Sequence, residues 1–442
     1  MSPLRVAVVG SGPAGFYAAG ALLGADVPVE VDMFERLPTP WGLVRLGVAP
    51  DHPKLKTVSR AFERIAELPG FRFLGNVEVG RGVGHDDLCR LYDAVIYSVG
   101  AQTDRRLGIP GEDLPGSWAA TEFVAWYNGH PDYQDIHFDL DVERAVVIGV
   151  GNVALDVARM LALTPEDLAS TDTTDQAIAA ICGSSIREIV VVGRRGPAQA
   201  AFTTPELIEL GELAGADVIV DSADLEGAVG TDTHSERNLE VLRGYAAREQ
   251  TGKAKRLVLT FFRSPLAIHG IDQVESIELV KNVLDGDGRA VPTGKRETLS
   301  CGIVFRSVGY RGVALPDVPF DEESGVIPNV RGRVAAGVYC AGWIKRGPTG
   351  VIGTNKKDAA ETVELLLEDL RDAPRKGMTA DDVDALLDER GIRRVLYDGW
   401  RAIDEHERTA GGKRGRPRVK LCTWDELLEA AERAASVRSE AR

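Results

Sequence analysis

The sequence predicts an α/β protein built around two βαβ units. Over the first 200 residues short apolar runs alternate with helical stretches, the pattern of a parallel sheet. Two glycine-rich turns, at residues 10–15 and 149–154, each stand between a strand-like run and a helix. Glycine is also in excess, with 48 of 442 residues, about 11% where ~7% is usual. Together these features give two Rossmann-like dinucleotide-binding domains.

The elements follow in order. Residues 6–9 read as a short buried strand, 15–23 as a helix whose Ala18, Ala19 and Ala21 allow close packing on a sheet, and 29–34 as a second strand. Residues 94–99 form another strand, ending at Gly100. Residues 101–144 are mixed, with turns marked by Pro110, Gly111, Pro115 and Gly116. The second unit comprises a strand at 145–148, a helix at 153–163 and a strand at 189–192, with an Ala/Thr/Asp-rich insertion at 164–187. Residues 215–300 read as more antiparallel and polar. Strands return at 303–308 and 338–341, followed by a glycine-rich turn and a long helix over 353–370. The tail from about 372 is charged and mostly helical, with a Lys/Arg/Gly/Pro segment at 412–419 expected as a surface strand or loop. No period of 20–50 residues marks a repeat architecture.

Composition excludes several classes. Hydrophobic residues at 44% and charged residues at 27% describe a globular chain with ample core. A net charge of −15 argues against general nucleic-acid binding. No apolar run approaches the ~20 residues of a membrane span. The apolar N-terminal stretch is cut by Gly10, Gly12, Pro13 and Gly15, so it reads as a βαβ unit rather than a signal peptide. Cys89, Cys182, Cys301, Cys340 and Cys422 are scattered, with no CxxC and no zinc-ligand spacing. Free thiols, a reducing cytoplasmic setting and no metal are expected.

The first turn is Gly10-Ser11-Gly12-Pro13-Ala14-Gly15. Gly10 permits the tight turn, Gly12 lets backbone approach a pyrophosphate, and Gly15 lets helix and strand pack closely. Glu35, 20 residues after Gly15, ends the next strand and is placed to accept hydrogen bonds from a ribose. The second turn is Gly149-Val150-Gly151-Asn152-Val153-Ala154. Where an acid would follow, it has Arg194 and Arg195, two guanidiniums suited to a 2′-phosphate. They stand 40 residues after Ala154, the insertion accounting for the excess over the usual ~20. NADP(H) is therefore expected in the second domain. FAD, the usual companion of NADP(H) in a two-nucleotide protein, is expected in the first. A third glycine-rich stretch, residues 341–353, follows a strand and opens a helix whose N-terminus would favour negative charge on a reduced flavin ring.

Further runs carry a resemblance. Leu37-Pro38-Thr39-Pro40-Trp41-Gly42-Leu43-Val44-Arg45, the Gly47-Val48-Ala49-Pro50-Asp51-His52-Pro53 run, residues 151–159, Gly193-Arg194-Arg195-Gly196-Pro197 and residues 342–356 resemble the adrenodoxin-reductase type of ferredoxin–NADP(+) reductase, its actinobacterial members most of all. The resemblance covers residues 1–370, the tail following more loosely. It implies FAD binding by Ala14, Glu35, Leu43, Val79, Trp343, Gly350, Val351 and Ile352, beside Gly10, Gly12 and Gly15. It implies NADP binding by Arg105, Val150, Gly151, Asn152, Val153, Arg194, Arg195 and Glu206, with Gly350 near the nicotinamide. His52 and Glu209, the latter in Phe202-Thr203-Thr204-Pro205-Glu206-Leu207-Ile208-Glu209, are implied as a proton-handling pair near the flavin. Thr204 is read as the cap of that helix and Pro205 as its first residue, so that Glu206 and Glu209 share a face. The domains implied are an FAD-binding domain in two parts, 1–106 and 316–442, around an NADP-binding domain at 107–315.

The reaction so implied is hydride transfer from NADPH to FAD, then single-electron transfer to a ferredoxin. Hydride transfer needs stacking and exclusion of water rather than a side-chain acid or base. An acidic ferredoxin facing a chain of net charge −15 requires a local basic patch, for which Arg237, Arg243, Lys253, Lys255 and Arg256 are the candidates. A thioredoxin-reductase-like enzyme would need the missing dithiol, and a glutamate-synthase small subunit would need cysteine clusters. A flavin monooxygenase and a non-catalytic NADP(H) sensor are the other readings, the latter disfavoured by the flavin-type glycine stretch.

Overall fold

The computed structural model describes the backbone of residues 2–440 and the side chains of 2–433. It divides into two compact units, one formed by residues 1–103 and 310–442 and the other by 104–309. Each junction falls a few residues before the boundary expected from sequence.

The discontinuous unit is built on a six-stranded sheet in the order Arg333–Ala335, Val338–Cys340, Ala94–Tyr97, Leu4–Val9, Val29–Glu35, Phe71–Gly75. All neighbours run parallel except the first pair. Leu4–Val9 is buried along its whole length, which explains its apolar sequence; its one charged residue, Arg5, is buried against Asp32 at 2.8 Å. Its alternate residues serve opposite faces. Leu4, Val6 and Val8 pack with helix Pro13–Leu23, helix Thr354–Asp369 and the tail residues Trp400, Ile403 and Leu427. Ala7 and Val9 pack with Leu88 and Leu91 of helix His85–Leu91 and with Val383 and Leu387 of helix Ala380–Glu389. The tail is therefore part of the core of this unit.

The contiguous unit has an all-parallel sheet in the order Ser117–Ala119, Ile303–Arg306, Arg144–Ile148, Glu188–Val192, Lys255–Thr260, Ala216–Val220. Ala145 and Val147 face a helical layer that includes helix Asn152–Ala162. Val146 and Ile148 face Ile268, Ile277 and Leu279 of an antiparallel sheet formed by Arg263–His269, Ser276–Leu284 and Ala290–Ser300. The antiparallel character expected from residue 215 thus begins only at 263. Ala216–Val220 is the edge strand of the parallel sheet and Lys255–Thr260 pairs between it and Glu188–Val192; Asp217, Lys255, Arg256 and Thr260 interrupt their apolar runs. The 164–187 insertion folds as helices Pro165–Ala169 and Asp175–Cys182, each capped by a threonine hydroxyl that accepts from a first-turn amide, Thr164 from Asp167 and Thr174 from Ala177. That capping explains its Thr/Asp-rich composition.

Candidate dinucleotide sites

In the discontinuous unit the first glycine turn joins strand Leu4–Val9 to helix Pro13–Leu23. Gly10 has φ +99°, and a Cβ there would stand 2.7 Å from the Ser98 carbonyl oxygen. A Cβ on Gly15 would stand 2.1 Å from the Gly10 carbonyl oxygen. One on Gly12 would meet nothing within 4 Å. The turn is closed behind and open in front, where the positive end of the helix and its free amides suit a diphosphate.

Two further loops border this opening. Trp41 N–H donates to the Ser11 carbonyl at 2.9 Å, and a Cβ on Gly42 would lie 3.1 Å from Gly12 Cα. A Cβ on Gly342 would lie 2.5 Å from Ala14 Cβ. Gly342 N–H donates to Asp358, which also pairs with Lys345 and Arg346 at 3.2 Å each. The Trp343 indole N–H donates to the Thr349 carbonyl at 3.2 Å, holding the loop that leads through Gly350, Val351 and Ile352 into helix Thr354–Asp369. Leu43 and Val351 are exposed apolar side chains, 39% and 64%. Exposed apolar surface around an open glycine turn is chemistry that fits a flavin dinucleotide.

Glu35 accepts from Ser11 N–H at 3.1 Å and Ser11 O–H at 2.6 Å through one oxygen, and from Leu37 N–H at 3.0 Å through the other. It therefore shapes the turn, with lone pairs left over for a further donor. Val77 N–H donates to the Glu35 carbonyl, and Val79 follows in a tight turn closed against Val83. His52 lies in this unit, half-buried, just before the short helix Pro53–Lys56, with its N–H on the Ala49 carbonyl.

In the contiguous unit Gly149 has φ +129°, and a Cβ would stand 2.0 Å from the Ser307 carbonyl oxygen, whereas one on Gly151 would meet nothing within 4 Å. The open-and-closed pattern of the first turn is repeated. Asn152 Oδ1 accepts from Thr203 N–H at 2.7 Å, and the Val150 carbonyl accepts from Ala201 N–H at 2.9 Å. A Cβ on Gly193 would lie 2.9 Å from Val150 Cγ1, so the exposed Arg194 and Arg195 stand beside the turn. Arg105, exposed, donates its backbone N–H to Gly309, two residues beyond the Ser307 that backs Gly149. Val153 is half-buried in the first turn of the helix. Arg159, 2% exposed, lies 2.7 Å from Asp156, 3.3 Å from Glu206 and 4.0 Å from Glu209. The shared face expected for Glu206 and Glu209 is thus oriented by a buried guanidinium.

The chain matches the pyridine nucleotide-disulphide oxidoreductase family over residues 4–191. It is 52% identical to NADPH-ferredoxin reductase FprA of Mycobacterium tuberculosis, over 97% of this chain and 99% of that protein. It belongs to the ferredoxin–NADP(+) reductase family of adrenodoxin-reductase type. A mitochondrial NADPH:adrenodoxin oxidoreductase of Arabidopsis thaliana is 42% identical over 97% of this chain and 95% of its own length. The solved structure of M. tuberculosis FprA in complex with NADPH superposes with a TM-score of 0.94, covering 97% of this chain and all of that one.

Of three local expectations for the reductase, two need correction. Thr203, not Thr204, precedes the helix Thr204–Leu210, and neither the cap nor its hydroxyl bonds as expected: the Thr204 O–H donates to Asn238 at 2.7 Å instead. The 412–419 run leaves helix Tyr397–Gly412 as a surface loop, as expected, with residues 413–415 exposed, although Arg418 pairs with Asp404 and Glu407, at 2.7 and 3.0 Å, and Arg416 is buried. In the proposed basic patch, Lys253 and Lys255 turn their ammonium groups to the carbonyls of Leu213 and Leu161, and Arg256 pairs with Glu188. Arg243 donates to the Ala228 carbonyl yet stays exposed, as does Arg237.

Sequence reading missed what supports the Trp41-Gly42 loop. Trp41 adopts φ +84°, a left-handed conformation that costs a residue with a side chain about 1–3 kcal/mol. It is 5% exposed and packs edge-on against Trp400, with ring centres 4.8 Å apart. Four residues on, Arg45 makes two hydrogen bonds to Glu407, which also accepts from Arg418 and from Leu421 N–H. Burial pushes the Glu407 carboxyl up, but Arg45 and Arg418 outweigh it and hold the group below the ordinary range. The available signal was periodicity: the stripe that buries Trp400 and Ile403 on helix Tyr397–Gly412 also contains position 407.

Proposed function

We infer that this chain is an NADPH-dependent flavoprotein that delivers electrons to a ferredoxin-type iron–sulfur protein. The observation that carries the reading is a pair of open glycine turns with unlike second-strand chemistry, in a chain similar along its length to ferredoxin reductases. FAD belongs to the discontinuous unit, held by Gly10, Gly12, Ala14, Gly15, Glu35, Leu43, Val79, Trp343, Gly350, Val351 and Ile352. NADP(H) belongs to the contiguous unit, with Arg105 and residues 150–153 toward its pyrophosphate, Arg194 and Arg195 on the 2′-phosphate, and Glu206 and Gly350 toward the nicotinamide. When bound, FAD supplies the exchange between a two-electron hydride donor and a one-electron acceptor. The residues of the chain orient the rings, exclude water and fix charge. His52 and Glu209 handle the proton and charge that accompany reduction.

The partner is an acidic ferredoxin that docks on a local basic surface centred on Arg237 and Arg243. Among the described residues no helix is long and apolar enough to cross a membrane, and we assign the reductase to the cytoplasm.

Anaerobic titration with NADPH and with NADH, following flavin absorbance and then adding ferredoxin, tests this reading. NADPH should bleach the flavin and ferredoxin should restore the colour. Protein that stays colourless after incubation with FAD would refute it. Arg194→Ala should weaken NADPH binding by about 1.5–3 kcal/mol, tenfold or more, and leave NADH nearly unchanged; equal losses would contradict the role of Arg194.

A further inference from the structure

The Arg194–Arg195 loop is held from below by a residue 88 positions away in sequence. Asn282 lies on strand Ser276–Leu284, beside a register shift between Val280 and Asn282. It is 2% exposed. Its side-chain amide donates to the Arg194 carbonyl at 2.8 Å and to Ser264 Oγ at 2.8 Å. Because a backbone carbonyl only accepts, the orientation of the amide is fixed by chemistry. Asn282 N–H donates to the Phe262 carbonyl at 2.7 Å, and Phe262 N–H donates to the Arg195 carbonyl at 3.0 Å. Phe262 adopts φ +57°, and a Cβ on Gly196 would stand 2.7 Å from its ring.

The Arg194 carbonyl is therefore anchored to the antiparallel sheet and the Arg195 carbonyl to Phe262, the residue before its strand Arg263–His269, while both arginines remain exposed. Asn282 Oδ1 is buried without a hydrogen-bond partner. A buried, half-satisfied amide is costly, and an apolar residue of similar size would be the cheaper occupant. What the amide supplies in return is position. Fixing successive carbonyls fixes the direction in which each side chain leaves the backbone, and a bidentate grip on a phosphate depends on that direction.

We propose that Asn282 is a positioning residue for cofactor specificity, holding the Arg194–Arg195 loop in the shape that receives the 2′-phosphate. This rests on the assignment of NADP(H) to this unit. The test measures the affinities of the FAD-loaded protein for NADP+ and for NAD+ by perturbation of the flavin spectrum. The variants are Asn282→Asp, Arg194→Ala and the two combined. Asn282→Asp is isosteric and replaces the donor by an acceptor that faces a carbonyl. It should weaken NADP+ about tenfold and leave NAD+ within about twofold. In the Arg194→Ala background the same change should have little further effect, since the two residues act through one contact.

Equal losses for both nucleotides, unchanged NADP+ affinity, or full additivity with Arg194→Ala would each overturn the proposal. Wild-type protein that binds NAD+ as well as NADP+ would overturn the underlying assignment and this inference with it. If the buried aspartate prevents folding, Asn282→Leu carries the same comparison, with the same expected loss confined to NADP+.

Discussion

Gly12 and Gly15 lie in one turn and answer to opposite demands. Gly15 is required by the protein itself, because a Cβ would press on the Gly10 carbonyl. Gly12 is required only by what occupies the space in front of it. Gly15→Ala should therefore destabilise the flavin-free protein by about 1–3 kcal/mol, measured by thermal unfolding. Gly12→Ala should change it by less than about 0.5 kcal/mol while lowering the amount of FAD retained on purification. Asp104 gives a second test at this scale. Burial pushes its carboxyl up to about 6, although Thr121 N–H donates to it. With a native value raised above the ordinary 3.8, the stabilisation is full below 3.8 and lost as pH rises through about 6. Asp104→Asn should stabilise the protein at pH 8 by an amount on the order of 2 kcal/mol, read as a higher melting temperature, and leave stability nearly unchanged at pH 4. Glycine spacing made Gly12 and Gly151 legible in the sequence, since the physics of that motif is local. Asp104 had no such signal, because its surroundings, Thr121 and Arg306 among them, come from other parts of the unit.

The element that most needed three dimensions is the tail helix Tyr397–Gly412. In sequence it is an acidic helix among charged neighbours. In the structure it places Trp400 against Trp41 and Glu407 between Arg45 and Arg418. Removing one partner of a buried ion pair leaves the others uncompensated, so Glu407→Gln should cost about 3–5 kcal/mol. The loss should appear in thermal unfolding and in faster FAD release, because Arg45 continues the loop that borders Gly12. With its native value lowered, the Glu407 contribution is complete above the ordinary ~4.3 and declines as pH falls through the native value. Acid-induced FAD release should therefore steepen below about pH 4 in the wild type and flatten in Glu407→Gln. The βαβ units were readable because each is a local pattern with a fixed period. Strands Ala216–Val220 and Lys255–Thr260 were misread because Asp217, Lys255 and Arg256 break the continuous apolar signature that identified 145–148.

At the scale of the whole molecule, charge and partner pull in opposite directions. A net charge of −15 would repel the acidic ferredoxin we propose as partner at long range, so docking as proposed relies on short-range contacts that salt will screen. Arg237→Glu with Arg243→Glu should lower ferredoxin reduction at low ionic strength by an order of magnitude or more and leave reduction of a neutral quinone by NADPH unchanged. Equal losses for both acceptors would remove that surface from consideration. Sequence named five basic residues for the patch, and the geometry of Lys253, Lys255 and Arg256 narrows them, since charge alone does not reveal which cations are committed to their own fold.

The division of the chain also has a consequence for biosynthesis. Residues 104–309 are an uninterrupted segment with their own parallel sheet, so that body can close as soon as it clears the ribosome. Residues 4–97 emerge earlier yet must wait, for their sheet lacks Val338–Cys340 and their aromatic buttress lacks Trp400 until those residues have been made. A nascent chain halted before that helix would carry a closed 104–309 body and an unfinished sheet ahead of it, and residues 4–97, though made earlier, would become resistant to proteolysis later.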